Sequence, residues 1–165
     1  MTAGRARAIV TWTLLAAACG GAERSGSGMV KDDRLDGEWE LTLTVMPTAL
    51  ALETHEGPTE ARGTVAFVAN HAGAPVPGFG TTPEQVGTHN LPLGLVVPGL
   101  DRAGTPTAAG TSTGDSVRLM LDSQSDEPVV LRGVWQGAGA SGEWTAHRRA
   151  GIDRGGRFTL RRADR

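Results

Sequence analysis

Apolar and polar residues alternate from Gly37 to Val45, with Trp39, Leu41, Leu43 and Val45 on one face and Glu38, Glu40, Thr42 and Thr44 on the other. A period of two with one apolar face predicts a half-buried antiparallel strand. The same period returns at Gly63 to Ala69, where Val65 and Phe67 share a face, and at Ser116 to Asp122, where Val117, Leu119 and Leu121 alternate with Arg118 and Met120. Val129, Leu131, Gly133 and Trp135 make the inner row of a further strand. It is followed by Gly137, Ala138, Gly139 and Ala140 and by a return carrying Gly142, Trp144 and Ala146. Glycine-rich turns supply the positive φ values that hairpins need, so this stretch predicts a hairpin. A last strand, Gly156 to Arg162, puts Phe158 and Leu160 inside and Arg157, Thr159 and Arg161 outside.

The interval from Asn70 to Gly110 holds six of the nine prolines. Proline cannot donate to a ladder, so loops or edge strands are expected there. Leu91 to Leu100 (LPLGLVVPGL) is the apolar exception, and it is expected to form one or two strands that close the middle of the sheet. A short turn is expected at Met46 to Glu53, and no helical period longer than two turns follows residue 18. The predicted fold class is all-β: an antiparallel meander of about seven or eight strands closing into a barrel, with a β-sandwich as the alternative.

Composition adds an address. With 165 residues the chain suits one domain plus appendages. Arg5 and Arg7 precede a mostly apolar run, Ala8 to Ala18, that ends in three alanines. This is the layout of a cleaved export signal over residues 1–18, too short to stay as a membrane span. Leu15-Ala16-Ala17-Ala18-Cys19 resembles the lipobox of bacterial lipoproteins, although alanine rather than leucine stands three residues before the cysteine. The resemblance implies a diacylglyceryl Cys19 at the new N-terminus, an anchor in the cell envelope, and outer-membrane sorting where the host has two membranes, since Gly20 rather than Asp follows. The alternative is an ordinary secretory signal and a soluble secreted or periplasmic protein. Residues 19–35, small and polar, read as a lipidated N-terminus and tether, and 36–165 as a single barrel-like domain.

Losing residues 1–18 lowers the basic side chains from 16 to 14 against 18 acidic ones. That mild acidity supplies no field for nucleic acid, which is excluded as a partner. Cys19 is the lone cysteine, so no disulfide forms within the chain.

Gly37-Glu38-Trp39 at the head of the first strand resembles the Gly-x-Trp motif of lipocalins. In that family the tryptophan plugs one barrel end beneath an arginine of the last strand, which makes Arg161 or Arg162 the counterpart here. The resemblance covers the ends of the domain; the helix before the last strand and the tyrosines usual in the family are absent. It implies a barrel that is either filled by its own side chains or hollow around a small apolar ligand. Trp39, Phe67, Trp135, Trp144 and Phe158 are the candidate ligand-binding or core residues.

Catalytic and metal motifs fail on spacing. His55-Glu56 is followed by Thr59 where a second zinc ligand belongs, and His71, His89 and His147 are scattered, as surface histidines are. Asp122, Asp126 and Glu127 read as a solvated acidic turn. No serine sits in the frame of a nucleophile elbow, and the glycine runs 137–142 and 151–156 read as turns without the lysine of a phosphate loop. His147, Arg148, Arg149, Arg154, Arg157, Arg161, Arg162 and Arg165 form a basic cluster, read as a solvated face in preference to a surface for anionic lipid heads or an acidic partner. No cofactor and no metal is expected. The expected function is a non-enzymatic binding or envelope-accessory lipoprotein with the membrane as partner through Cys19. A lipocalin-like carrier of a small apolar ligand is the first alternative and a hydrolase the second.

Overall fold

In a computed structural model, residues 33–46, 59–100, 106–123, 125–147 and 154–164 are described. The chain divides into two units, Met1–Val30 and Lys31–Arg165, and every described residue belongs to the second. The export signal, Cys19, His55, Arg148, Arg149, Arg165 and nearly all of the turn expected at Met46 to Glu53 lie outside the described residues.

Eight strands follow one another around a closed barrel: β1 (Gly37–Val45), β2 (Glu60–Ala69), β3 (Gln85–His89), β4 (Thr107–Thr113), β5 (Ser116–Leu121), β6 (Val129–Gln136), β7 (Gly139–Ala146) and β8 (Arg154–Arg162). Every pairing is antiparallel, and β1 closes the cylinder by bonding to both β2 and β8. The expected meander and barrel are therefore the observed fold, and the sandwich is not. Register carries the period-two pattern around the circumference. Trp39 faces Val65 and Arg162, Leu41 faces Leu160, Leu119 faces Leu131, and Leu131 faces Trp144.

A small barrel needs sharp strand bends, and inward glycines provide them. At Gly133 a side chain would stand 2.7 Å from the Phe158 ring, and at Gly156 it would stand 2.8 Å from Trp144 Nε1 and collide with the Thr44 carbonyl. These positions are empty because a neighbouring strand or ring already fills them. Residues 151–156 are thus not wholly a turn: Gly155 and Gly156 belong to β8, as Gly139 to Gly142 belong to β7, and the β6–β7 turn is only Gly137-Ala138.

Two strands, β3 and β4, come from the proline-rich interval, and the apolar Leu91 to Leu100 segment is not a strand. Leu93–Leu95 is a 3-10 turn, followed by turn bonds from Val97 N–H to Leu93 O at 2.8 Å and from Leu100 N–H to Val97 O at 3.1 Å. Pro92 and Pro98 deny the segment a ladder, and Gly99 bends it at φ +79°. Its apolar side chains still need burial, and Leu91, Leu93, Val96, Val97 and Leu100 join the barrel core as a stopper at the end of β3. The tether also ends earlier than expected. Asp33–Leu35 is a 3-10 turn with Leu35 fully buried, so these residues belong to the barrel.

Candidate functional site

At the end where β1 begins, Leu35 enters the barrel above Gly110, and a Cβ on that glycine would approach Leu35 Cδ1 to 2.9 Å. Trp39 Nε1 donates to Leu35 O at 2.8 Å and holds the stopper down. The Arg162 guanidinium lies 4.2 Å from the centre of the Trp39 ring. It donates to Asp36 O and, at 3.4 Å, to Arg34 O. Of the two arginines considered from the sequence, Arg162 makes the stack, while Arg161 points outward in register with Glu40. Trp135 lies beside Trp39 with ring centres 5.5 Å apart, beneath the Arg34 guanidinium at 5.0 Å, and donates through Nε1 to Ser112 Oγ at 2.8 Å. Trp135 is half-buried, in contrast to Trp39, Phe67, Trp144 and Phe158, which are buried in one core with it packed against them.

The opposite end holds a polar pair that the sequence reading missed. His89, expected on the surface, is buried at the end of β3, and Asp122 is no solvated loop carboxylate. Leu91 N–H donates to His89 Nδ1 at 3.3 Å, which leaves the ring proton on Nε2, 3.1 Å from Asp122 Oδ1. Asp122 holds that position with a left-handed backbone, φ +51°, while its N–H donates to Thr107 O at 2.7 Å. Both imidazole nitrogens are engaged, so neither is left to take a proton from a nucleophile. Nearby, Ser123 Oγ donates to Thr107 Oγ1 at 3.2 Å. On the adjacent wall Trp144 Nε1 donates to Thr44 O at 3.1 Å. Among the described residues, no group of three or more histidine, cysteine, aspartate or glutamate side chains is placed to hold a metal.

The outer wall is polar and charged. Register lines up Thr111, Arg118, Arg132, Glu143, Arg157, Thr44 and Glu60 on consecutive strands. Over β4–β6 the wall is covered by the segment between β2 and β3. Phe79 is fully buried there against Ala109 and Met120, with Val76 and Val130 packed alongside. Arg118 clasps the segment: its guanidinium lies 4.5 Å from the Phe79 ring centre and donates to Phe79 O and, at 3.5 Å, to Gly78 O. Burial, and secondarily the neighbouring charge of Arg132, pull the Arg118 pKa below its usual value. A groove of about 320 Å³ runs beside this clasp, lined by Phe79, Thr81, Thr111, Thr113, Ser116, Val117, Arg118, Arg132 and Gly133. Two other grooves flank Glu40 and Arg161, one of about 470 Å³ over β7–β8–β1 and one of about 540 Å³ over β8–β1–β2.

Eight antiparallel strands closed on themselves place the chain in the class of small up-and-down β-barrels. No protein-family model and no curated protein matches the chain. Two solved β-barrels resemble it in fold. One is EF1p2_mFAP2b bound to DFHBI, 13% identical, with 79% of this chain and 95% of that one covered at a TM-score of 0.45. The other is a redesigned β-barrel, mFAP1, bound to DFHBI, 14% identical over 79% of this chain and 96% of that one, at a TM-score of 0.39.

Proposed function

We propose that this protein is an exported, lipid-anchored binding or envelope-accessory module that is not an enzyme and acts through its outer surface. The observation that carries the reading is the filled interior. Large side chains from the strands meet at the axis, Leu35 closes one end and Leu91 to Leu100 closes the other. A barrel of about eight strands is just wide enough to be filled in this way, and then holds nothing else. The engaged ring nitrogens of His89 support a non-enzymatic role, and the lipobox-like run before Cys19 supports the anchor.

The rival is a carrier of a small apolar molecule, favoured by the half-buried Trp135 at the rim of the Trp39 end. One experiment separates the two: mass spectrometry of organic extracts from the purified exported chain, alongside a Trp135→Ala variant. The filled barrel predicts empty extracts from both. A stoichiometric apolar species that disappears in the variant overturns the proposal and makes the protein a carrier.

A further inference from the structure

Arg118 and Arg132 are directly opposed on β5 and β6, side chains on the same outer face. Like charges in that relation repel. Among the described residues neither arginine makes an ion pair. Glu143 stands across from Arg132 on β7, but it has Arg157 on its other side and does not line the groove that both arginines share. Among the described residues that groove contains no carboxylate. It contains the hydroxyls of Thr81, Thr111, Thr113 and Ser116. Two of its donors, Arg118 Nε and Thr111 Oγ1, are buried and lack a hydrogen-bond partner.

We infer that this groove binds a phosphate-type oxyanion. The exposed Arg132 guanidinium matches the oxygens of phosphate in pairs, Arg118 adds its charge from within the clasp, and the row of hydroxyls supplies the further donors that a tetrahedral anion accepts. The volume of about 320 Å³ suits a phosphomonoester or a headgroup rather than a polymer. The site lies on the outer wall, so it stands whether or not the interior is filled and whether or not Cys19 is lipidated.

The test is an amide NMR titration of the purified chain with inorganic phosphate at constant ionic strength, repeated on Arg132→Gln and Arg157→Gln. Arg132 is exposed and takes no part in the Arg118 clasp, so its replacement leaves the fold in place, which the unperturbed spectrum verifies. The expected result is saturable shifts at Thr111, Thr113, Ser116 and Gly133, with affinity lowered about tenfold or more in Arg132→Gln and changed less than about twofold in Arg157→Gln, the effect of one charge-assisted hydrogen bond. Flotation of the chain carrying Cys19→Ser, which removes any acyl anchor, with phosphatidylglycerol vesicles against phosphatidylcholine alone distinguishes the source. Recruitment lost in Arg132→Gln assigns the phosphate to a lipid headgroup, and no recruitment with phosphate binding intact assigns it to a small soluble ester. Linear, unsaturable shifts, or equal losses in the two variants, overturn the inference.

Discussion

Replacing Leu35 by alanine and Gly110 by alanine, singly and together, tests whether the barrel is filled at its Trp39 end. Leu35 is fully buried, so truncation leaves a cavity and costs about 2 to 5 kcal/mol. A methyl added at Gly110 would approach Leu35 Cδ1 to 2.9 Å, Leu119 Cδ2 to 3.0 Å and the Phe67 ring to 3.3 Å. That crowding costs about 1 to 3 kcal/mol in the otherwise intact protein. In the double variant the added methyl occupies part of the space vacated by Leu35, and only the milder contacts with Leu119 and Phe67 remain. The two losses should then fall short of additive by about 1 to 2 kcal/mol, within the range found for residues in contact. Urea unfolding followed by tryptophan fluorescence reads this directly, because Trp39 and Trp135 stand at this end. With a slope of about 2 kcal/mol/M, Leu35→Ala alone moves the midpoint down by roughly 1 to 2.5 M. Strict additivity, or a Leu35→Ala cost well below 1 kcal/mol, would show that Leu35 is not a packed stopper and would refute the filled interior.

The two C-terminal arginines of β8 should separate cleanly. Arg162→Gln loses the stack on Trp39 and the bonds to Asp36 O and Arg34 O and should cost roughly 1 to 3 kcal/mol, whereas exposed Arg161→Gln should stay within about 0.5 kcal/mol. Calorimetry on both variants measures the difference, and equal melting points would deny the stack a structural role. At the other end Asp122→Asn keeps an acceptor for His89 Nε2 and tolerates the left-handed backbone, so it should cost less than about 1 kcal/mol. Asp122→Ala strands the buried imidazole donor in the same strained backbone and should cost about 2 to 3 kcal/mol by denaturant titration, with a smaller loss than the asparagine variant counting against the pair.

The strands that the sequence revealed are those whose two faces differ in polarity. In β1, β5 and β8 the inward positions are large and apolar apart from Gly37 and Gly156, so the period stands out against glutamate, threonine and arginine. The missed strands lack that contrast. Inward positions of β3 are Gln85, Gly87 and His89, and those of β4 are Ala108, Gly110 and Ser112, because Leu35, Phe67 and the Leu91 to Leu100 segment fill the space in front of them. A strand that faces a stopper is small or polar where a strand that faces the axis is large. For the same reason Leu91 to Leu100 gave a false strand: its burial was legible, but the geometry that buries it is a turn set by Pro92, Pro98 and Gly99. His89 and Asp122 are 33 residues apart, and only the closed β3–β4–β5 register brings them together. The Arg118–Arg132 pair was hidden likewise, since the alternation marks both as outward without saying that they are opposite one another.

The polar row on the outer wall also determines how such a barrel can meet a lipid bilayer. A barrel that spans a membrane turns apolar residues to the lipid and polar ones to its lumen. Here the arrangement is reversed: leucine, tryptophan and phenylalanine fill the inside, and Arg118, Arg132, Glu143, Arg157 and Glu60 follow one another around the outside. An arginine on the lipid face costs about 2 to 4 kcal/mol at the bilayer midplane, and three lie in this one row. The wall therefore stays in water, and any lasting hold on a membrane has to come from elsewhere in the chain. The lipobox-like Cys19 is the candidate, since acyl chains contribute about 0.8 kcal/mol per buried methylene and two or more give stable anchoring. Detergent phase partitioning of the exported protein tests this division of labour. The parent chain should enter the detergent phase and Cys19→Ser the aqueous phase, with no change in unfolding midpoint between them. A Cys19→Ser protein that still follows the detergent would mean that the barrel wall itself contacts lipid, contrary to the arrangement of its charges.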